Sequence, residues 1–405
     1  MRAPPPRLLA AVLAGAALVG CGKSASSGAG GYRSGSGGPI AQVSSQGATG
    51  LSTKNTTRLG GSDPAIDAAA VARAVYPGLT AGTRPQAVVL VDEHDWPAAL
   101  VASALASAPL GAPLLYSDGS TLSEASSQSL AAMHPTGAAQ AGGAQVIRIG
   151  TATAAPTGYR TDTLTAREPA ALAAEVARLD GRAHGVSPGQ VIVLAKDGPP
   201  ALEMPAAGLS AESGAPILLA SSSSLPAATE AELASLHRPA IYAVGPSALS
   251  GRVLAELAHF GHVTPIGSNS GEDESNAIAV ARFADGAFGW GIHEPGHGLV
   301  FANASQPLDA PAAALLSASG DFGPLLLLES PGGRASIPPV LVHYLSDIKP
   351  AYSPQVPPVR GVYNHGWLIG DERAISAVTQ AEIDTLLEIS PRATATEEPS
   401  LPLAE

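Results

Sequence analysis

The sequence predicts an α/β protein of three similar Rossmann-like units, each a parallel sheet flanked by helices. Three observations carry this. First, a short motif recurs: Gly111-Ala112-Pro113-Leu114-Leu115, Gly214-Ala215-Pro216-Ile217-Leu218 and Gly323-Pro324-Leu325-Leu326, spaced 103 and 108 residues apart at the proline. A period near 100 residues is too long for a solenoid repeat and has the size of a small domain. Second, each copy follows a small-residue run opened by proline: Pro97-Ala98-Ala99-Leu100, Pro200-Ala201-Leu202 and Pro307-Leu308-Asp309-Ala310-Pro311. Each also precedes an apolar stretch ending in glycine, at Gly150, Gly245 and Gly370. Third, runs such as Ala87-Val88-Val89-Leu90-Val91 are apolar at every position. Such a strand belongs in a sheet covered on both faces, the usual setting of parallel pairing.

The elements follow in order. In the first unit, residues 57–155, Asp63-Pro64 opens a helix with a side-chain acceptor at the cap and proline where no N–H is missed. Strands are expected at 87–91, 113–116 and 146–149, with helices at 97–108 and 122–133 between them. The second unit, 156–262, repeats this with a helix from Pro169, strands at 191–195, 216–220 and 241–244, and helices at 200–213 and 226–236. The third, 263–390, is more divergent. It has strands at 299–302, 325–328 and 367–369, and helices at 276–282, 339–345 and 378–389. Parallel strands joined by crossover helices imply right-handed connections.

The ends read differently. Arg2 and Arg7 precede an apolar core, Leu8 to Val19, and Leu18-Val19-Gly20-Cys21 resembles the lipobox of bacterial lipoproteins. Residues 1–20 are therefore expected to be an export signal, with Cys21 lipidated and the protein held on the outer face of the cytoplasmic membrane, in the cell envelope. The apolar core is too short to span a bilayer. Cys21 is the chain's 1 cysteine, so no disulfide forms within it. Residues 21–56 are rich in Gly, Ser, Ala and Thr and read as a tether. Residues 391–405 read as an acidic tail.

The formal charge is −12 over 405 residues. Nucleic acid is a poor partner for such a chain, because it demands a basic face. Aromatic residues make up only 4%, so the core must be built from Ala, Leu, Val and Ile at close helix–sheet distances.

Several segments resemble the cell wall-binding repeat 2 family, whose members carry three tandem repeats. They are Arg58-Leu59-Gly60-Gly61-Ser62-Asp63, Asp95-Trp96-Pro97-Ala98-Ala99-Leu100, Gly111 to Leu115, Val244-Gly245-Pro246-Ser247-Ala248-Leu249-Ser250, and Ile369-Gly370-Asp371-Glu372-Arg373-Ala374-Ile375-Ser376. The resemblance covers about residues 57–390. It implies three Rossmann- or Toprim-like units in pseudo-threefold arrangement that bind secondary cell-wall polymer without catalysis. The family's arginine before the first glycine is kept only at Arg58. The later units read Thr163-Leu164-Thr165 and Pro265-Ile266-Gly267 there.

Candidate ligand-binding residues are Arg58, Asp92, Glu93, Asp95 and Trp96. Asp92-Glu93-His94-Asp95 directly follows a buried strand, and open parallel sheets bind ligands at the carboxyl ends of their strands. The cluster could hold a cation through oxygen ligands, or Asp95 could simply cap the next helix. His293-Glu294-Pro295-Gly296-His297 matches the H-E-x-x-H zinc pattern formally. That pattern needs both histidines on one helical face, and Pro295-Gly296 breaks the helix, so a polar loop is expected instead. Trp96, Trp290 and Trp367 could stack on sugars but are expected to pack. No catalytic residue, resident metal or cofactor is expected. The function expected is a non-catalytic, lipid-anchored surface protein whose partner is cell-wall polymer or another surface protein. A solute-binding lipoprotein with lobes closing on a small ligand is the alternative.

Overall fold

The computed structural model describes residues 52–268, 270–286, 288–318, 322–352 and 362–391. The expected export signal, the lipidation site Cys21, most of the tether and nearly all of the tail lie outside these residues. Among the described residues, no helix is long and apolar enough to cross a membrane.

Strand β1 (Thr56–Leu59) leads into α1 (Pro64–Val75). Then come β2 (Val88–Asp92), α2 (Trp96–Ala102), β3 (Leu114–Asp118), the two-residue β4 (Thr121–Leu122), α3 (Glu124–Met133), β5 (Val146–Ile149) and β6 (Thr161–Leu164). Helix α4 (Pro169–His184) opens the next stretch. It is followed by β7 (Gln190–Ala195), α5 (Pro200–Glu203), α6 (Pro205–Ser213), β8 (Ile217–Ala220), α7 (Ala227–Ser235), β9 (Ala240–Val244), α8 (Gly251–Leu257) and β10 (His262–Ile266). The last stretch holds α9 (Asp273–Arg282), a small hairpin of β11 (Ala284–Asp285) and β12 (Phe288–Gly289), and β13 (Gly298–Asn303). Then follow α10 (Asp309–Ser317), β14 (Phe322–Leu328), α11 (Pro339–Asp347), β15 (Ala351–Tyr352), β16 (His365–Ile369), α12 (Ala377–Leu387) and β17 (Ser390–Pro391).

Three sheets result, ordered β4-β3-β2-β5-β6, β10-β9-β7-β8 and β1-β16-β13-β14. Apart from the short β4, their pairings are parallel. The strand order is the same in all three. The expected mixed α/β fold with parallel sheets and flanking helices is therefore present. One register was not foreseen. Each sheet takes its outer strand from the start of the following sequence segment, and β1 closes the series by pairing with β16, Thr56 opposite Gly366 and Leu59 opposite Ile369.

Two expected helices are shorter than the sequence pattern implied. The helix over 97–108 ends at Ala102 and tightens into a 3₁₀ turn, Ser103–Ala106. The helix over 200–213 breaks at Met204, because Pro205 has no N–H to give the Ala201 carbonyl and its ring crowds that group. Helix starts behave as the caps dictate: Asp63, Asp95, Ser250 and Ser376 each accept a backbone N–H three residues on.

The centre of the molecule is made by helices following the first strand of each sheet. Helix α10 packs on α6, and both touch the α2–Ser103–Ala106 segment. Their facing residues are small: Ala104 and Ala106, then Ala206, Ala207 and Gly208, then Ala312, Ala313 and Ala314, all buried. A Cβ on Gly208 would lie 2.7 Å from Ser317 Oγ, so α6 and α10 approach too closely for any larger residue there. One continuous apolar core runs through parts of all three sheets.

Candidate functional site

The carboxyl ends of β2 and β3 bring together most of the residues singled out from sequence. Asp92 closes β2, and its Oδ1 accepts the N–H of His94 at 3.1 Å and of Gly119 at 3.2 Å. This ties the loop after β2 to the loop after β3. Asp95 Oδ1 accepts the N–H of Ala98 at 3.0 Å and so caps α2. Both carboxylates are thereby committed to the backbone, which leaves Glu93 and His94 at the turn between them.

His94 Nε2 lies 3.0 Å from Asp118 Oδ1, with both side chains exposed. The hydrogen bond to Asp118 holds the imidazole above its ordinary pKa, against a smaller desolvation effect. Partial burial pushes the Glu93 carboxyl up, opposed by His94 and reinforced by Asp118, Asp63 and Asp92. Ligand atoms of Glu93, His94 and Asp118 lie within 4.8 Å of one another, near enough for one cation to touch all three. One imidazole nitrogen and two carboxylates suit a borderline transition metal better than calcium, which takes six to eight oxygens. Asp118 was not foreseen. It lies a full β-α-β unit away in sequence and joins the cluster only because β3 pairs with β2.

The other sheets use the corresponding loop only for support. Asp197 accepts the N–H and hydroxyl of Ser222, at 2.6 and 2.9 Å, and Asn303 accepts the N–H of Ser305 at 2.9 Å.

Arg58 does not join the cluster. It is buried, and its guanidinium donates to Gln380 Oε1 at 3.1 and 2.9 Å, to Gly370 O at 3.0 Å and to Asp371 O at 2.8 Å. In this geometry the side chain is a clamp that joins β1 to α12 and the end of β16. Trp96 packs against the core, as do Trp290 and Trp367, and its indole N–H is hydrogen-bonded to Glu203. The His293–His297 segment is a loop ahead of β13, as Pro295-Gly296 implied. Asn364 Oδ1 accepts the N–H groups of Gly296 and His297 at 2.8 and 3.2 Å, and burial lowers the His297 pKa.

A second group of carboxyls lies inside the protein. Asp67 on α1 and Asp309 on α10 are 3% and 1% exposed and hydrogen-bonded to each other. Asp67 Oδ1 also accepts the N–H of Gly61 at 2.6 Å. Burial raises Asp67 to about 7 and carries Asp309 well above its ordinary value. Tyr116, buried beside them, donates to Leu308 O at 2.7 Å. Glu203, 2% exposed, is pushed up to about 8 by burial. The sequence signal for these groups is a lone carboxylate among alanines and leucines, and it was not used. Gly60 belongs to this arrangement: at φ 129°, a Cβ there would fall 2.2 Å from Asp67 Oδ1.

The architecture defines a class: parallel α/β proteins with three sheets joined through central helices. Two solved structures share it. The chain is similar to the cell wall proteins Cwp8 from Clostridium difficile (TM-score 0.59, 18% identity, covering 82% of this chain and 51% of that one) and Cwp6 from the same organism (TM-score 0.61, 18% identity, 84% and 51%). This chain spans about half the length of each. At this identity the likeness is one of fold. No protein-family model matches the sequence, and no curated protein does.

Proposed function

We propose that the chain is a non-catalytic, lipid-anchored cell-surface protein whose three-sheet body contacts envelope glycopolymer or another surface protein. The observation that carries this reading is the fold, shared across most of the chain with two cell wall proteins. The lipobox-like Leu18-Val19-Gly20-Cys21 supports placement at the envelope. The non-catalytic reading is supported by where the strongly perturbed acids lie. Asp67, Asp309 and Glu203 are enclosed by the core, where a substrate cannot reach them. The Glu93–His94–Asp118 cluster offers ligand atoms for a cation through which an acidic protein could meet an acidic polymer.

The test is co-sedimentation of the Cys21→Ser chain, lacking residues 1–20, with purified Gram-positive wall fragments. Retention at low salt, strengthened more by manganese than by calcium, is expected. Failure to sediment at low salt, with and without added divalent cation, overturns the reading.

A further inference from the structure

Although the chain is acidic overall, residues 148–182 hold five arginines against four carboxylates. Three of those arginines border one groove. It runs between β6 and α4. One end has a volume of about 560 Å³ and is bordered by Arg160, Thr161 and Arg182. A continuation of about 210 Å³ passes Thr163, Thr165 and Arg178 and also borders Arg182.

The guanidinium groups of Arg160 and Arg182 make no hydrogen bond or ion pair among the described residues. The Arg160 guanidinium lies against Gly143 and Gly137: a Cβ on Gly143 would stand 3.2 Å from three of its atoms, and one on Gly137 2.7 Å from Nη2. Arg178 and Arg182 lie one turn apart on α4, on the same face. Arg178 Nε is paired with Glu232 at 2.8 Å, so it is partly neutralised. The two carboxylates in the groove stay charged but are turned to the backbone. Asp162 accepts the N–H of Thr163 at 2.9 Å, and Glu175 accepts those of Thr165 and Ala166 at 2.9 and 3.1 Å. Among the described residues β6 pairs with β5 alone, so its other edge offers backbone groups to the groove. Thr161 borders the groove too, whereas the Thr163 hydroxyl accepts an N–H of Arg148 at 3.2 Å.

We infer that this groove binds an anionic, polyhydroxylated chain, with phosphate or carboxylate groups on Arg160 and Arg182 and hydroxyls along Thr161 and the free edge of β6. A guanidinium presents forked donors matched to either anion, and two of them on one groove have none of those donors taken by the protein. The assignment rests on the surface-polymer reading and gives it a location.

The test uses the Cys21→Ser chain and three probes: a glycerol-phosphate polymer, polygalacturonate and neutral dextran. The expected result is binding to one or both polyanions and none to dextran. Arg160→Gln/Arg182→Gln should weaken it at least about tenfold and make log K against log salt shallower by about 1 to 2. Arg84→Gln/Arg334→Gln makes the same change in net charge elsewhere and should bind as the parent does. Arg182→Glu alone, with an unchanged melting curve, should abolish binding. Equal loss in the two double variants, or dextran binding as well as the polyanions, overturns the groove. So does a parent that binds neither polyanion, even if it sediments with walls. Polyanion binding without wall sedimentation keeps the groove and removes the surface reading.

Discussion

Asp67 and Asp309 share a hydrogen bond between their carboxyl groups, although one lies on α1 and the other on α10. Two carboxylates cannot share such a bond unless at least one carries a proton. Helices α1 and α10 are thus joined by a proton as well as by alanines.

This fixes a direction for pH. A group whose folded pKa is raised gives stability that is fully present below its unfolded value and is lost as pH rises through the folded value. Asp67 moves from 3.8 to about 7, Glu203 from 4.5 to about 8 and His184 from 6.5 to about 9. All three act in the same sense. The melting temperature should therefore be highest on the acidic side and fall as pH rises across these ranges. Asp67→Asn keeps an acceptor for Gly61 and a donor for Asp309, as Asn276 does between Ser268 and Leu202 O. It should flatten the slope and raise the melting temperature above pH 7.5. Calorimetry across pH 4.5 to 8.5 checks this; a melting temperature that climbs steadily with pH contradicts it.

Arg58 offers a different test. Replacing it with alanine strands Gln380 Oε1 and two carbonyls in the interior, a loss of about 3 kcal/mol. Arg58→Lys should recover little, because an ammonium cannot span these acceptors as a fork. Urea unfolding of both variants decides it. Recovery of parent stability by lysine would mean that charge, rather than the forked geometry, holds the clamp.

Gly208→Ala should destabilise despite the helix preference for alanine, worth about 1 kcal/mol. The new methyl meets Ser317 Oγ, which cannot swing away without leaving Gly323 O at 3.0 Å. The net loss should be about 1–2 kcal/mol. Adding Ser317→Ala should recover part of it, and a double-mutant cycle would read the coupling. Strictly additive effects would show that the helices relax apart instead.

Asp92→Ala should free two loops at once. Amide exchange at His94 and Gly119 should accelerate, with little change in the core, and Asp92→Asn should restore most of the protection. Unchanged exchange would mean that Asp92 does not hold the loops.

Much of the scaffold was legible because continuous apolar runs mark buried strands: β2, β7, β8, β9, β13 and β16 lie where such runs stand. In the three large sheets the parallel strands that escaped notice are β1, β6 and β10. β6 and β10 are partly exposed, so Thr-Asp-Thr-Leu and His-Val-Thr-Pro-Ile carry no apolar signature, unlike β8, an edge strand that is buried throughout. Helix α10 escaped because Pro311 lies within it, tolerated in the first turn where no intrahelical N–H is needed. At the site, Asp92, Glu93 and Asp95 could be found from their place after a strand. Asp118, and the meeting of Asp67 with Asp309, depend on contacts between distant segments that no local pattern records.

The pairing of β1 with β16 also joins the two ends of the described chain. Arg58 reaches Gly370, 312 positions further on. Contacts of such separation carry a loop-closure cost that local ones do not. A body truncated before β16 would leave β1 without its strand partner and Arg58 without the carbonyls it clamps.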